Sequence, residues 1–219
     1  MADSVVRIAA DSLMLEGALA VPIAARGIVL FAHGSGSSRH SPRNNFVAGE
    51  LRAGGLGTLL IDLLTKDEDA FRQSRFDIDL LTGRLMAATR WLREEPATRD
   101  LALGYFGAST GAAAALKAAA RLGPEIAAVV SRGGRPDLAA PDLARVRAPT
   151  LLIVGGYDDL VLDLNRRAYE KLPARKELVA IPRATHLFEE PGALEEVARL
   201  ARDWFVRYLA PPTAARRSA

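Results

Sequence analysis

The sequence predicts an α/β protein, a mostly parallel twisted sheet with helices on both faces. Three observations carry this. Short apolar runs of strand length recur through the 219 residues, segments of helical spacing fall between them, and Gly, Ser, Pro and Asp gather at the changeovers. Strands that alternate with helices are joined by crossovers, which favours parallel pairing and buries both faces of the sheet.

Taken in order, residues 5–9 and 14–20 are an opening pair of strands joined by the Asp11-Ser12 turn. GIVLFA (27–32) is a buried strand, followed by a Gly/Ser loop over 33–41. A helix is expected over 45–53 and a strand over GTLLI (57–61). Ile78, Leu81, Leu85 and Trp91 give 76–93 a helical period. LALGYF (101–106) is a strand, and 110–121, rich in alanine, is a helix. In the second half, 126–130, 151–154 and 177–181 are strand-length apolar runs, with candidate helices at 141–146 and 162–172. The last helix, 192–209, sets Leu194, Val197, Leu200, Trp204 and Phe205 on one side. The stripe of Trp91, Trp204 and Phe205 is expected to pack in the core. One domain is expected over 1–209, with a flexible basic C-terminal tail over 210–219 that places Arg216-Arg217 after Pro211-Pro212.

Composition removes several function classes. Apolar residues make up 49% of the chain, enough for a sizeable core. Cysteine is absent, which excludes disulfides, thiolate metal sites and a cysteine nucleophile. Arg7, Asp11, Ser12 and Glu16 interrupt the apolar runs near the N-terminus, unlike a secretory signal, and no run reaches membrane-spanning length. The expectation is a soluble, cytoplasmic protein with no membrane partner. The net charge is +3, but the basic residues are scattered among 26 acids and aromatics are only 6%, so no nucleic-acid surface is expected. Neither a P-loop nor an early dinucleotide-binding glycine motif occurs, and no cofactor or metal is expected.

Gly107-Ala108-Ser109-Thr110-Gly111 matches G-x-S-x-G, and its setting strengthens the match: it ends an apolar strand and opens a helix. A serine on so sharp a turn is strained, its flanking positions must be small, and the first helical N–H groups face the space beside its oxygen. Ser109 is the candidate nucleophile. It needs a base, and the chain offers only His33, His40 and His186. His186 lies just past the last strand, at the carboxyl edge of a parallel sheet and thus on the same edge as Ser109. A carboxylate to orient it is expected from Gly155-Gly156-Tyr157-Asp158-Asp159; Asp158 sits on the turn itself, whereas Asp159 suits the cap of the following helix. His33-Gly34-Ser35-Gly36 can turn a backbone N–H toward the nucleophile, giving an oxyanion hole from the amides of Ser35 and Thr110, with His33 orienting the loop. Arg132 follows a strand at this edge and can grip a substrate carboxylate as a fork, although pairing with Asp137, Asp142 or solvent is the simpler expectation. Glu189-Glu190 is expected to serve the dipole of the last helix.

These four segments, 33–36, 107–111, 155–158 and 184–186, resemble the dienelactone-hydrolase-like branch of the α/β-hydrolases, over about residues 5–208. The resemblance implies the α/β-hydrolase fold with no large lid domain, and the 132–149 stretch is too short to build one. Dienelactone hydrolases proper carry a cysteine nucleophile, where this chain has Ser109, so a dienelactone substrate does not follow. A related group with the longer HGSGSSR…SPRN pattern also occurs beside or fused to phosphoribosyltransferase domains; none is read in these residues. The expected activity is hydrolysis of small carboxylic esters or lactones by Ser109, Asp158 and His186, with a thioesterase or acyltransferase, or a non-catalytic interaction module, as alternatives. The expected partner is the small-molecule substrate, and a monomer is compatible with this reading.

Overall fold

The computed structural model describes residues 4–209; the tail expected over 210–219 lies outside the described residues. The chain opens with a hairpin, β1 (Ser4–Ala10) and β2 (Leu13–Ala20), turning at Asp11, whose φ is +55°. Then follow β3 (Ile28–Ala32), α1 (Pro42–Ala53), β4 (Gly57–Ile61), α2 (Lys66–Asp69), α3 (Arg72–Phe76) and α4 (Ile78–Glu94). The second half holds β5 (Leu103–Ala108), α5 (Thr110–Leu122), β6 (Ile126–Arg132), β7 (Thr150–Gly155), α6 (Asp159–Lys171), β8 (Lys176–Ile181) and α7 (Ala193–Tyr208).

The strands form one sheet in the order β1-β2-β4-β3-β5-β6-β7-β8. β2 pairs antiparallel with β1 and β4, and every pairing from β4 to β8 is parallel. This is the α/β-hydrolase fold, without a lid domain. The side-chain period of two divides the strands between two cores. Ile28, Leu30 and Ala32 of β3 pack with Leu81, Leu85, Ala113 and Leu116 of α4 and α5, whereas Val29 and Phe31 face Val47, Leu51, Val197 and Phe205 of α1 and α7. Trp91 and Trp204 are both packed, but on opposite sides of the sheet, so the aromatic stripe expected from sequence is two separate contacts.

Among the departures from expectation, three have a clear local cause. α1 begins at Pro42 rather than residue 45, because Ser41 caps it by accepting from the Asn44 N–H and proline suits the first helical position. A capping box, Thr65 with Glu68, starts α2 in a segment expected to be loop. The helix expected over 141–146 is a 3₁₀ turn at Leu143–Arg145, preceded by another at Pro136–Ala139; so short a segment cannot sustain α-helical bonding.

Candidate active site

The carboxyl ends of the parallel strands converge on one edge, and each loop there is held by a distinct device. Between β5 and α5 the chain reverses so tightly that Ser109 takes φ +49° and ψ −120°, a region side chains seldom adopt. The glycines around it are steric necessities. A Cβ on Gly107 would lie 2.4 Å from the Ala112 Cα, and one on Gly111 would lie 2.2 Å from the Ala32 carbonyl oxygen. Strand, helix and the neighbouring β3 end therefore meet at van der Waals contact, with Ser109 pushed out at the bend.

Beside it, the loop after β3 is pinned at both ends. Buried His33 accepts from the Leu63 N–H at Nε2 (2.9 Å), so its Nδ1 carries the proton and donates to the Gly34 carbonyl (2.9 Å). Both ring nitrogens are occupied, which leaves His33 a loop anchor with no nitrogen free to move a proton. At the far end Arg39 forks between the Asp62 and Glu16 carboxylates, and its N–H donates to Asp62 Oδ1 at 2.6 Å. Sequence reasoning missed this clamp. The loop so held brings Gly34 within reach of Ser109, whose Cβ is 3.1 Å from where a Gly34 Cβ would stand. The N–H groups of Ser35 and Thr110 have no acceptor among the described residues, and Thr110 opens a helix whose first amides point into the site.

Burial pushes the pKa of His33 below the usual histidine range, against smaller opposing effects of Gly34, Asp62 and Asp69. The neutral ring is thus part of the fold, while in the unfolded chain it takes a proton below about pH 6.5. Stability is full above that value and falls as pH drops toward the depressed folded pKa. The urea midpoint should decline from pH 7 to pH 5, and His33→Asn should flatten part of that slope as well as lowering the midpoint. An unchanged slope in the variant would contradict the buried neutral ring.

The third loop pair comes from β7 and β8. The turn after β7 is stitched to the loop after β8 by Gly156 N–H to Ile181 O (2.8 Å) and Tyr157 N–H to Ala184 O (2.9 Å). A Cβ on Gly155 would fall 2.4 Å from the Ala184 carbonyl oxygen, so only glycine allows this approach. The result is a contact between residues 28 apart in sequence: His186 Nδ1 donates to Asp158 Oδ2 at 2.6 Å. Asp158 stands at the N-cap of α6 yet makes no side-chain capping bond, while Asp159 is the first residue of that helix. The histidine loop is fixed by fully buried Phe188 (φ +57°) and by Glu190, which accepts from both the N–H (3.0 Å) and the hydroxyl (2.6 Å) of Thr185. Glu190 therefore braces the loop that carries His186, and Glu189 reaches Arg43 at 3.2 Å; the helix-dipole role expected of this pair falls to Glu195 and Glu196, in the first turn of α7.

Ser109 and His186 line one pocket of about 230 Å³ together with Gly34, Ser35, Ser37, Ser41, Arg43, Ala108, Arg132 and Leu187. No hydrogen bond joins Ser109 Oγ to His186 among the described residues; catalytic contacts of this kind commonly tighten once substrate is present. His40 is exposed and outside this pocket. The acid partner expected for Arg132 is a correction. Asp137 binds Arg135, Asp142 binds Arg145 and lies near Lys117, and Arg132 is buried with no carboxylate among the described residues. Among the described residues no cluster could hold a metal ion, and no helix is long and apolar enough to cross a membrane.

No protein-family model matches the chain. It is 56% identical over 210 residues to two Mycobacterium tuberculosis proteins, from strains CDC 1551 / Oshkosh and H37Rv, provisionally named phosphoribosyl transferases. The match covers 96% of this chain and 47% of theirs, so the chain spans about half the length of those relatives. Among solved structures, a dienelactone hydrolase from Anabaena variabilis is 57% identical with a TM-score of 0.92, the match covering 94% of this chain and 98% of that one. A lidless α/β serine hydrolase from Xanthomonas campestris is 23% identical with a TM-score of 0.78 over 97% of each chain, a likeness of fold alone.

Proposed function

The chain belongs to the dienelactone hydrolase family of α/β-hydrolases, and on that premise we propose that it hydrolyses small carboxylic esters or lactones through an acyl-enzyme on Ser109. The observation that carries the proposal is the His186–Asp158 pair, assembled from two loops at the pocket that Ser109 lines. His186 takes the Ser109 proton as Oγ attacks the ester carbonyl, and Asp158 holds the ring in the tautomer that frees Nε2 for this task. The N–H groups of Ser35 and Thr110 receive the negative charge that builds on the carbonyl oxygen. The C–O bond to the leaving alcohol then breaks as His186 returns the proton to that alcohol. Water, deprotonated by the same histidine, attacks the acyl carbon and releases the acid with Ser109 restored.

A serine in place of the family's cysteine makes this chain depend wholly on its base, since a hydroxyl is scarcely ionised at neutral pH where a thiol is partly so. The provisional name of the mycobacterial relatives belongs to proteins of about twice this length, and the site described here suits acyl chemistry. The pocket is small for a ligand site and no lid extends it, which favours compact acyl groups. In a panel of para-nitrophenyl esters, kcat/KM should be greatest for the shortest acyl chains and fall steadily as they lengthen. A preference for long chains would refute the compact pocket. Product analysis with an added alcohol separates hydrolysis from transfer: the free acid is expected as the main product, and a predominant new ester would make the protein an acyltransferase.

A further inference from the structure

Arg132 ends β6, is only 8% exposed, and has no carboxylate partner among the described residues. Its Nε is buried without a hydrogen bond, its Nη2 makes only a long contact (3.4 Å) with Asn44 Oδ1, and its guanidinium lies 5.9 Å from the Phe188 ring centre. A buried cation in this state is costly unless something else neutralises it. Burial, and then the neighbouring Arg43, push its pKa down to about 10, so it still carries its charge at neutral pH. Arg43 lines the same pocket, has a buried Nε without a partner among the described residues, and pairs with Glu189, an exposed carboxylate at the rim. The rest of the wall adds the hydroxyls of Ser35, Ser37 and Ser41. Ser41 Oγ already accepts from the Asn44 N–H, so its proton is free to donate. This end of the pocket is rich in donors, poor in acceptors and doubly cationic.

We infer that Arg132 and Arg43 form a subsite for a phosphate monoester group on the substrate, next to the ester cleaved at Ser109; the inference rests on the hydrolase reading of this pocket. A phosphate dianion matches two guanidiniums in charge, and its three terminal oxygens can accept from both arginines and the serine hydroxyls. A carboxylate brings one charge and two oxygens and leaves donors idle.

The test titrates inorganic phosphate into the full chain at slightly alkaline pH, with ionic strength held constant by sodium chloride. Calorimetry reads binding, and hydrolysis of neutral para-nitrophenyl acetate reads competition. Phosphate should bind one to one and inhibit competitively, while acetate at the same ionic strength should do neither. Arg132→Gln should weaken phosphate binding by about ten- to a hundredfold, the loss expected for a charged hydrogen-bond partner. Glu189→Gln, which releases Arg43 from its rim partner, should tighten it; this variant keeps the test alive should Arg132→Gln fail to fold. A chain that hydrolyses the ester but neither binds phosphate nor is inhibited by it overturns the subsite and leaves the hydrolase reading intact. Phosphate binding without any ester hydrolysis overturns the hydrolase reading and with it the placement of the phosphate beside a cleaved ester, leaving only an anion site at the two arginines. Acetate competing as well as phosphate overturns the phosphate assignment.

Discussion

Ser109→Ala should abolish ester hydrolysis, with kcat falling on the order of 10⁶-fold, the scale of a serine knockout in a triad that works as a unit. The substitution removes only Oγ. It keeps the Cβ that already occupies the φ +49° bend, so the backbone strain is unchanged and the fold should persist. Thermal unfolding should therefore be close to that of the wild type, and a fluorophosphonate probe that adds mass to the wild-type chain should leave the variant unlabelled. A folded variant that retained more than a few per cent of the activity would remove Ser109 from the mechanism.

The second large effect is expected at Asp158. Asparagine there would offer an amide N–H to His186 Nδ1, driving the proton to Nε2 and blocking the acceptor that Ser109 needs. Loss of about 10⁴ in kcat follows by the logic of the same change in a triad of different fold. Asp159→Asn should cost little, since that residue opens α6 and the histidine is hydrogen-bonded to Asp158 instead. The pair of variants is an internal control: equal losses would signal general damage to the turn, and the reverse order would make Asp159 the orienting acid.

Much of this was legible in the chain. The apolar runs marked every strand of the sheet, most plainly the central ones, because a strand buried on both faces must be almost wholly apolar, as GIVLFA and LALGYF are. The helices misjudged were those in which local signals compete. Pro42 looks like a breaker unless Ser41 is recognised as its cap, and the Thr65–Glu68 capping box lies in a polar stretch without an apolar face. Glu190 looked like a helix-dipole acid because it precedes an apolar helical run; its hydrogen bonds to Thr185 depend on how the loop folds back.

The sequence by itself determined the order of elements, the glycine-flanked Ser109, and the succession of serine, acid and histidine along the chain. These are local properties: propensity, period and the steric demand of one tight turn. The place of Asp158 on its turn favoured it over Asp159 in the sequence, but the contact with His186 itself is tertiary, made by the stitched turn after β7 that aims Asp158 at the ring. The tertiary structure alone decided the state of Arg132. The two acids that sequence proximity offered as partners, Asp137 and Asp142, bind other cations, and β6 carries the guanidinium into the pocket wall with no carboxylate among the described residues. Charge pairing depends on distances across the fold, and those are set by packing between residues far apart in the chain.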